Sequence, residues 1–321
     1  MQATAEAHPN IALVKYWGKR DGPDNVPATP SLSITLSDLR TRTRVSVDAT
    51  LAKHVVTLNG AIVADAKINA CVDRLIARAH RQMPKLRIDT DNNFPTAAGL
   101  ASSASGFAAL VTAIDAALEL RMSETERAIE ARRASASAAR SLYGGFVTLH
   151  GSDDPVTWLA RRELDAAAWP LAVVIAICSD QPKKVSSSVG MQQSKTSPYY
   201  TRWTEVAALD FAAARAAVAS RDFARLAEVA EGNCLAMHAV MLSARPGLLY
   251  WTGATVECME RVRELRAAGC EVFFTIDAGP QVKAVCEPGA VDAVRAALTN
   301  VPGVKEVIVV GLGGAARVLP P

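Results

Sequence analysis

Four stretches of the chain collect residue types suited to chemistry on anions. The first runs from Pro95 to Ser105 (PTAAGLASSAS), small or hydroxylated throughout apart from Pro95 and Leu100, and it leads directly into an apolar, periodic segment. Small residues let backbone N–H groups approach an anion, and the positive end of a helix dipole favours phosphate. Ser102, Ser103 or Ser105 could add a hydroxyl to phosphate or to Mg²⁺. The same composition equally suits a close helix crossing with a serine N-cap. No G-x-x-x-x-G-K-[ST] occurs, so this is not a Walker A loop.

The second stretch is Asn10 to Lys19 (NIALVKYWGK). Read as a strand, it puts Ile11, Leu13, Lys15 and Trp17 on one face, so a lysine sits among apolar neighbours and wants an anionic partner. A strand end whose lysines snorkel into water is the competing reading. The third, Arg132 to Ser141 (RRASASAARS), brings Arg133, Ser137, Arg140 and Ser141 to one face if it is helical. Two guanidinium groups and two hydroxyls suit a diphosphate or a carboxylate, although solvated arginines on an exposed helix would look the same. The fourth is Asp277, a lone acid after the apolar run Cys270 to Ile276 and before Ala278-Gly-Pro280. A carboxylate at the end of a buried strand can orient a substrate or take its proton; an ordinary turn former fits there too.

These residues must be positioned by a chain of 321 residues, about twice the usual single-domain length. Half the residues are apolar and 21% are charged, which excludes a disordered chain or a coiled coil. The net charge of +3 is too small for a broad nucleic-acid footprint, so any anion must be recognised locally. The apolar stretch from Ala167 to Cys178 is shorter than the ~20 residues of a membrane span and contains Pro170. The opening MQATAEAHPN lacks a basic residue followed by an apolar run, so a cytoplasmic location is expected. The six cysteines form no C-x-x-C pair and the histidines no H-E-x-x-H, patterns that a structural zinc site would show.

Alternation predicts strands over Ile11 to Trp17, Ser31 to Leu36 and Thr41 to Val47. Helical spacing of Ile68, Cys71, Val72, Leu75 and Ile76, and of Phe107, Leu110, Val111, Ile114 and Leu118, predicts two helices. A third is expected from Glu124 to Leu142, closed by Gly144-Gly145, and later ones over about Phe223 to Met241 and Thr255 to Ala268. Buried strands are expected at Pro170 to Cys178 and Cys270 to Ile276, with a polar loop and candidate lid from Ser179 to Ser197 between them. VGLGGAA near the end imitates a dinucleotide fingerprint, but only seven residues follow Gly314, too few for a βαβ unit. The alternation implies an α+β chain in two domains, residues 1–183 and 184–321.

In this order, NIALVKYWGKRD, NNFPTAAGLASSASGF, ARRASASAARSLYGGF, MHAVM and TIDAGP resemble diphosphomevalonate decarboxylase, of the small-molecule kinase superfamily that includes galactokinase, homoserine kinase and mevalonate kinase. The resemblance spans Ala7 to Lys283. It implies a ribosomal-protein-S5-like N-terminal domain and a ferredoxin-like C-terminal domain, with the active site in the cleft between them, in a cytoplasmic homodimer. It further implies that ATP and Mg²⁺ are used to phosphorylate and decarboxylate mevalonate 5-diphosphate, with no nucleic acid or membrane partner. By resemblance Asp277, Lys15, Arg140 and Asn10 are catalytic, Asn10 and Arg140 holding the substrate carboxylate. Tyr16, Trp17, Gly18, Lys19, Lys67, Ser135, Ala136, Ser137, Arg140 and Thr196 would surround the substrate. Pro95, Ala97, Ala98, Gly99, Leu100, Ala101, Ser102 and Ser103 would cradle ATP, with Mg²⁺ held mainly by its phosphates and Ser103 the protein group that could add to them.

The chain also departs from that pattern. The family's Gly-Ser-Gly-Ser is Ala134-Ser-Ala-Ser137 here, its DAGPN is DAGPQ with Gln281, and its V-E-T-S-P appears one residue shorter as Ser194-Lys-Thr-Ser-Pro198. Lys67 stands where many relatives have an arginine, keeping the charge and losing the bidentate fork. A phosphomevalonate decarboxylase or mevalonate 3-kinase of the same fold, or a non-catalytic relative that binds a phosphorylated metabolite, therefore stays open at this stage.

Overall fold

In the computed structural model, which describes every residue except 23, 80–82, 95–101 and 321, the expected alternation becomes three antiparallel or mixed sheets. The first half of the chain contains β1 (Gln2–Ala7), β2 (Asn10–Val14), β3 (Ser31–Thr35), β4 (Thr41–Asp48), β5 (Val55–Leu58), β6 (Ala61–Ile62), α1 (Ala66–Ala77), β7 (Lys85–Asn92), α2 (Ser102–Leu118), α3 (Glu124–Ala134), β8 (Phe146–His150) and β9 (Leu159–Leu164). There follow β10 (Ala172–Ile177), α4 (Ser187–Ser194), α5 (Tyr200–Ser220), α6 (Phe223–Leu242), α7 (Gly253–Ala267), β11 (Val272–Ile276), β12 (Val282–Cys286), α8 (Val291–Thr299), β13 (Glu306–Gly311) and β14 (Arg317–Val318). Among the described residues no helix is long and apolar enough to cross a membrane.

Local sequence explains most of these elements. In β4 the alternation TRTRV buries Thr41, Thr43 and Val45 and exposes Arg42 and Arg44. Asp65 caps α1 by accepting from the backbone N–H groups of Lys67 and Ile68, and Cys71, Val72 and Leu75 form its buried face. Ser123 and Glu126 close a capping box at the start of α3. The strand orders are β14-β1-β4-β7-β5-β6, β2-β3-β8-β9 and β11-β12-β10-β13.

Several expectations are corrected. The strand at Asn10 stops at Val14, after a register shift between Ala12 and Val14, so Lys15 to Lys19 are not on a strand face. The single helix expected over 124–142 is two: α3 ends at Ala134, Ser135 turns extended (φ −152°, ψ 119°), and a 3₁₀ turn runs from Ala136 to Leu142. The polar stretch 179–197 is not all loop, because Ser186 caps α4 within it. β10 pairs with both β12 and β13, and β14 returns to pair with β1 in the first sheet.

One glycine of the discarded fingerprint, Gly313, has a packing reason. Gly313 donates to Thr35 O, and a Cβ there would stand 2.1 Å from the Leu36 carbonyl oxygen, so the returning chain passes where a side chain cannot. A continuous apolar core joins the halves: Ile11, Leu32 and Ile34 pack with Val173, Ile175, Phe273 and the α5 and α6 residues Phe211 and Leu226.

Candidate active site

A cleft of about 390 Å³ lies between the two halves and is lined from both. It falls within the usual volume of small-molecule sites, about 300–1,000 Å³. Among the described residues five cationic side chains line it, Lys15, Lys19, Lys67, Arg140 and Lys183, against the carboxylates of Asp65 and Asp277. Such a surplus in a partly buried cleft calls for an anionic occupant.

Lys15 reaches the cleft because β2 ends one residue earlier. Its backbone N–H donates to Asn233 Oδ1 of α6 (2.7 Å) and its carbonyl accepts from Thr29 Oγ1 (3.3 Å), which aims the side chain at Asp277. Asp277 leaves β11 after Ile276, whose carbonyl accepts from His238 Nε2 (3.3 Å) and whose N–H donates to Cys234 Sγ (3.1 Å). The end of β11 is thus held by α6, and the MHAVM histidine holds backbone near the cleft. Burial pushes the His238 imidazole down to about 3, with the Lys15 charge adding to it, so it is neutral at physiological pH.

The Asp277 carboxylate is gripped from both sides. Lys15 Nζ lies 2.8 Å from Oδ1 and Lys283 Nζ 3.2 Å from Oδ2. Burial pushes this carboxyl up, but the two ammonium groups outweigh it and hold it well below the usual carboxylate range. The lysine side chains are 2% and 1% exposed, whereas Asp277 keeps 30% and remains reachable from the cleft.

On the facing wall, Arg140 is buried in the 3₁₀ turn. Its Nε donates to Ser33 Oγ (3.0 Å) and Asn10 Oδ1 (3.3 Å), Nη1 to Ser31 Oγ (2.7 Å) and Nη2 to Asn10 Oδ1 (3.2 Å). One hydrogen on each terminal nitrogen is left for a ligand. Burial lowers its pKa to about 10, with Asp277 and Tyr16 opposing, and it stays charged at pH 7. Asn10 gives its amide hydrogens to Ser137 O (3.1 Å) and Ser141 Oγ (2.8 Å), so its side chain is fully used in positioning Arg140 and the turn rather than reaching for a ligand.

The other pole of the cleft carries Lys19, Lys67, Tyr16 and the Ser135 to Ser137 turn. Lys19 Nζ donates to Asn25 Oδ1 (2.8 Å) and Ser188 Oγ (3.4 Å); burial lowers its pKa and the Lys67 charge lowers it further. Among the described residues the buried Tyr16 hydroxyl has no hydrogen-bond partner, and burial pushes its pKa up, so it arrives neutral and able to donate. Trp17 lines the cleft but mainly ties the halves together: Nε1 donates to Ser194 Oγ and its carbonyl accepts from Trp203 Nε1, both at 2.9 Å. Gly18, at φ +115°, passes under the Tyr200 hydroxyl, 2.3 Å from where a Cβ would sit.

Not every expected residue converges. Arg133 is directed away, paired with Asp24 (3.0 Å) and Glu130 (3.1 Å), because the extended Ser135 ends the helix face it was to share with Arg140. Thr196 is exposed; its hydroxyl donates to Gln193 O and accepts from Arg245 N–H, outside the cleft. Ser102 begins α2 and Ser103 lines the cleft, whereas Pro95, Ala97, Ala98, Gly99, Leu100 and Ala101 lie outside the described residues. The sequence reading missed Lys283, Lys183 and the Ser186 to Ser188 start of α4. A lysine inside VKAVC is the same signal that singled out Lys15, a charge in an apolar run.

Residues 7–158 match the diphosphomevalonate decarboxylase-like N-terminal domain, and residues 173–308 match the mevalonate 5-diphosphate decarboxylase C-terminal domain. The chain belongs to the diphosphomevalonate decarboxylase family. The Candida albicans diphosphomevalonate decarboxylase is 38% identical over 301 residues, covering 87% of this chain and 82% of that one. Mevalonate diphosphate decarboxylase from Staphylococcus aureus superposes with a TM-score of 0.93 at 35% identity, over 99% of this chain and 98% of that one. A solved complex with MVAPP, AMPPCP and magnesium reaches 0.92 at 34% identity, over 100% of this chain and 99% of that one. The two-domain α+β architecture of the decarboxylases is therefore that of this chain, and the cleft lies between its two halves.

Proposed function

We propose that the protein catalyses ATP-dependent decarboxylation of mevalonate 5-diphosphate to isopentenyl diphosphate, ADP, phosphate and CO₂. The observation that carries this reading is the Lys15–Asp277 pair facing Arg140 across one cationic cleft. A tertiary 3-hydroxyl is a poor leaving group; phosphorylation at that oxygen turns it into one, and loss of the carboxylate as CO₂ then expels phosphate and forms the alkene. Asp277 accepts a hydrogen bond from the 3-hydroxyl and orients it toward the γ-phosphoryl group. Its depressed pKa makes it a weak base, which suits a loose transfer that asks little of a base before the new P–O bond forms.

Lys15 sets the carboxylate and offsets negative charge as the phosphoryl group moves. The two free Arg140 hydrogens hold the substrate carboxylate, and Asn10 holds Arg140. Lys19, Lys67, the Tyr16 hydroxyl and Ser135 to Ser137 receive the 5-diphosphate. The residues fit a nucleotide and its metal: Ser103 puts a hydroxyl on the cleft wall at the start of α2, and the cationic surplus suits phosphates. Mg²⁺ bound with those phosphates would neutralise charge in the transfer. The loop from Pro95 to Ala101 belongs to the same nucleotide site in this reading. A cytoplasmic homodimer is part of the reading on resemblance alone.

Purified protein given ATP, Mg²⁺ and mevalonate 5-diphosphate should release CO₂, ADP and phosphate in equal amounts. ADP without CO₂ would overturn the decarboxylase in favour of a 3-kinase, and faster turnover of the 5-monophosphate would reassign the substrate.

A further inference from the structure

Lys283 lies on β12, where Val282, Ala284 and Cys286 face the core beneath α7 and α8 and Val285 faces the core shared by the two halves. Alternation puts Lys283 on the same face as Val285, opposite Thr275 on one neighbouring strand and Ile175 on the other. An apolar side chain would pack there at less cost, since a buried ion pair is often no more stabilising than hydrophobic residues of similar volume. Stability therefore does not explain a fully buried ammonium at this position. What the lysine reaches does: its Nζ ends 3.2 Å from Asp277 Oδ2, the oxygen that Lys15 leaves free.

We propose that Lys283 is a positioning residue for the reaction, fixing Asp277 from behind so that both carboxylate oxygens are held while its exposed edge faces the substrate. The inference rests on the function proposed above. With Lys15 alone the carboxylate could swing about the Oδ1 contact. With both lysines its plane is set, and it remains charged as the hydroxyl arrives. The other charged or titratable groups facing it are Lys15 after β2, Arg140 on the 3₁₀ turn, Lys183 ahead of α4, and Cys234 and His238 on α6. His238 is neutral above about pH 3, so it adds no charge beside Asp277 at the pH of the reaction.

The test compares Lys283→Met and Lys283→Gln with the wild type in kcat, both KM values, thermal melting and the pH profile of kcat. We expect kcat to fall about 100-fold with both KM values within about threefold, as for loss of one fixed electrostatic partner. The acid limb of kcat should move up by about one pH unit as Asp277 keeps one cation instead of two. A purely structural lysine would lower the melting temperature and leave that limb in place, which overturns the proposal, as does a kcat within threefold of wild type. Carboxyl ¹³C NMR of the wild type gives a reading independent of the variants and of turnover: Asp277 should not titrate above about pH 3, and a midpoint near the ordinary ~3.9 overturns the clamp. A wild type that releases no CO₂ counts against the decarboxylase reading, while the NMR titration still decides the role of Lys283.

Discussion

A carboxylate between two buried ammonium groups is costly to remove as well as costly to protonate. Asp277→Asn leaves Lys15 and Lys283 without their counter-charge, and breaking a buried pair in this way costs about 3–5 kcal/mol. We expect that variant to lose turnover by about 10³-fold and to melt several degrees lower, with part of the melting loss recovered on adding phosphate; calorimetry checks it. The pH dependence of stability follows from two depressed groups. Asp277 has a folded value below its unfolded ~3.9, so its contribution is present above about pH 4 and is lost on further acidification. His238, at about 3 when folded against ~6.5 unfolded, adds a loss that begins earlier, as pH falls below about 6.5, at ~1.4 kcal/mol per unit. Urea unfolding of His238→Gln should show a flatter decline between pH 6 and 4 than the wild type. Lys15, Arg140 and Asp277 were legible in the sequence because each is a charge in an apolar or small-residue setting. The part played by Asn10 was not, since it depends on contacts to Ser137 and Ser141 more than a hundred residues away.

At the scale of elements, periodicity located helices well and misjudged where they end. Alanine favours helix at every position, so the run from Ala134 to Ala139 carries no local stop signal, yet Ser135 turns extended and redirects Arg140 into the cleft while Arg133 stays outside. The start of α5 makes a contact no spacing rule contains: the Tyr200 hydroxyl lies over Gly18, which sits at φ +115°. Gly18→Ala should therefore be strained both in backbone and in space, lowering stability by about 1–3 kcal/mol and raising KM for the phosphorylated substrate through displaced Lys19. Tyr200→Phe removes the atom that collides, so the double variant should recover part of the loss; a double-mutant cycle by denaturant titration with no coupling between the sites would refute this account. Gln281 accepts from Cys178 N–H (2.6 Å) and donates to Ser179 O (2.6 Å), tying the DAGP turn to the segment that leads into α4.

The whole molecule is more unified than two domains suggest. Length and alternation implied two halves, but the core running from Ile11 and Leu32 to Val173 and Phe273 is shared, and Thr275 Oγ1 donates to Ala12 O (3.1 Å) across the junction. We expect urea unfolding followed by tryptophan fluorescence and by far-ultraviolet circular dichroism to give coincident single transitions; separated midpoints would show independent halves. The sharing was hidden in the sequence because packing between distant strands leaves no period, and β14 is only two residues, Arg317 and Val318, with no alternation to read. That short strand has a consequence for synthesis. Its partner β1 is made long before β14, so one edge of the first sheet stays uncovered while the chain between them is built. An open edge strand is a template for wrong pairing. The nascent chain is thus most exposed to association with its neighbours until Arg317 and Val318 come to lie against Glu6 and Ala5.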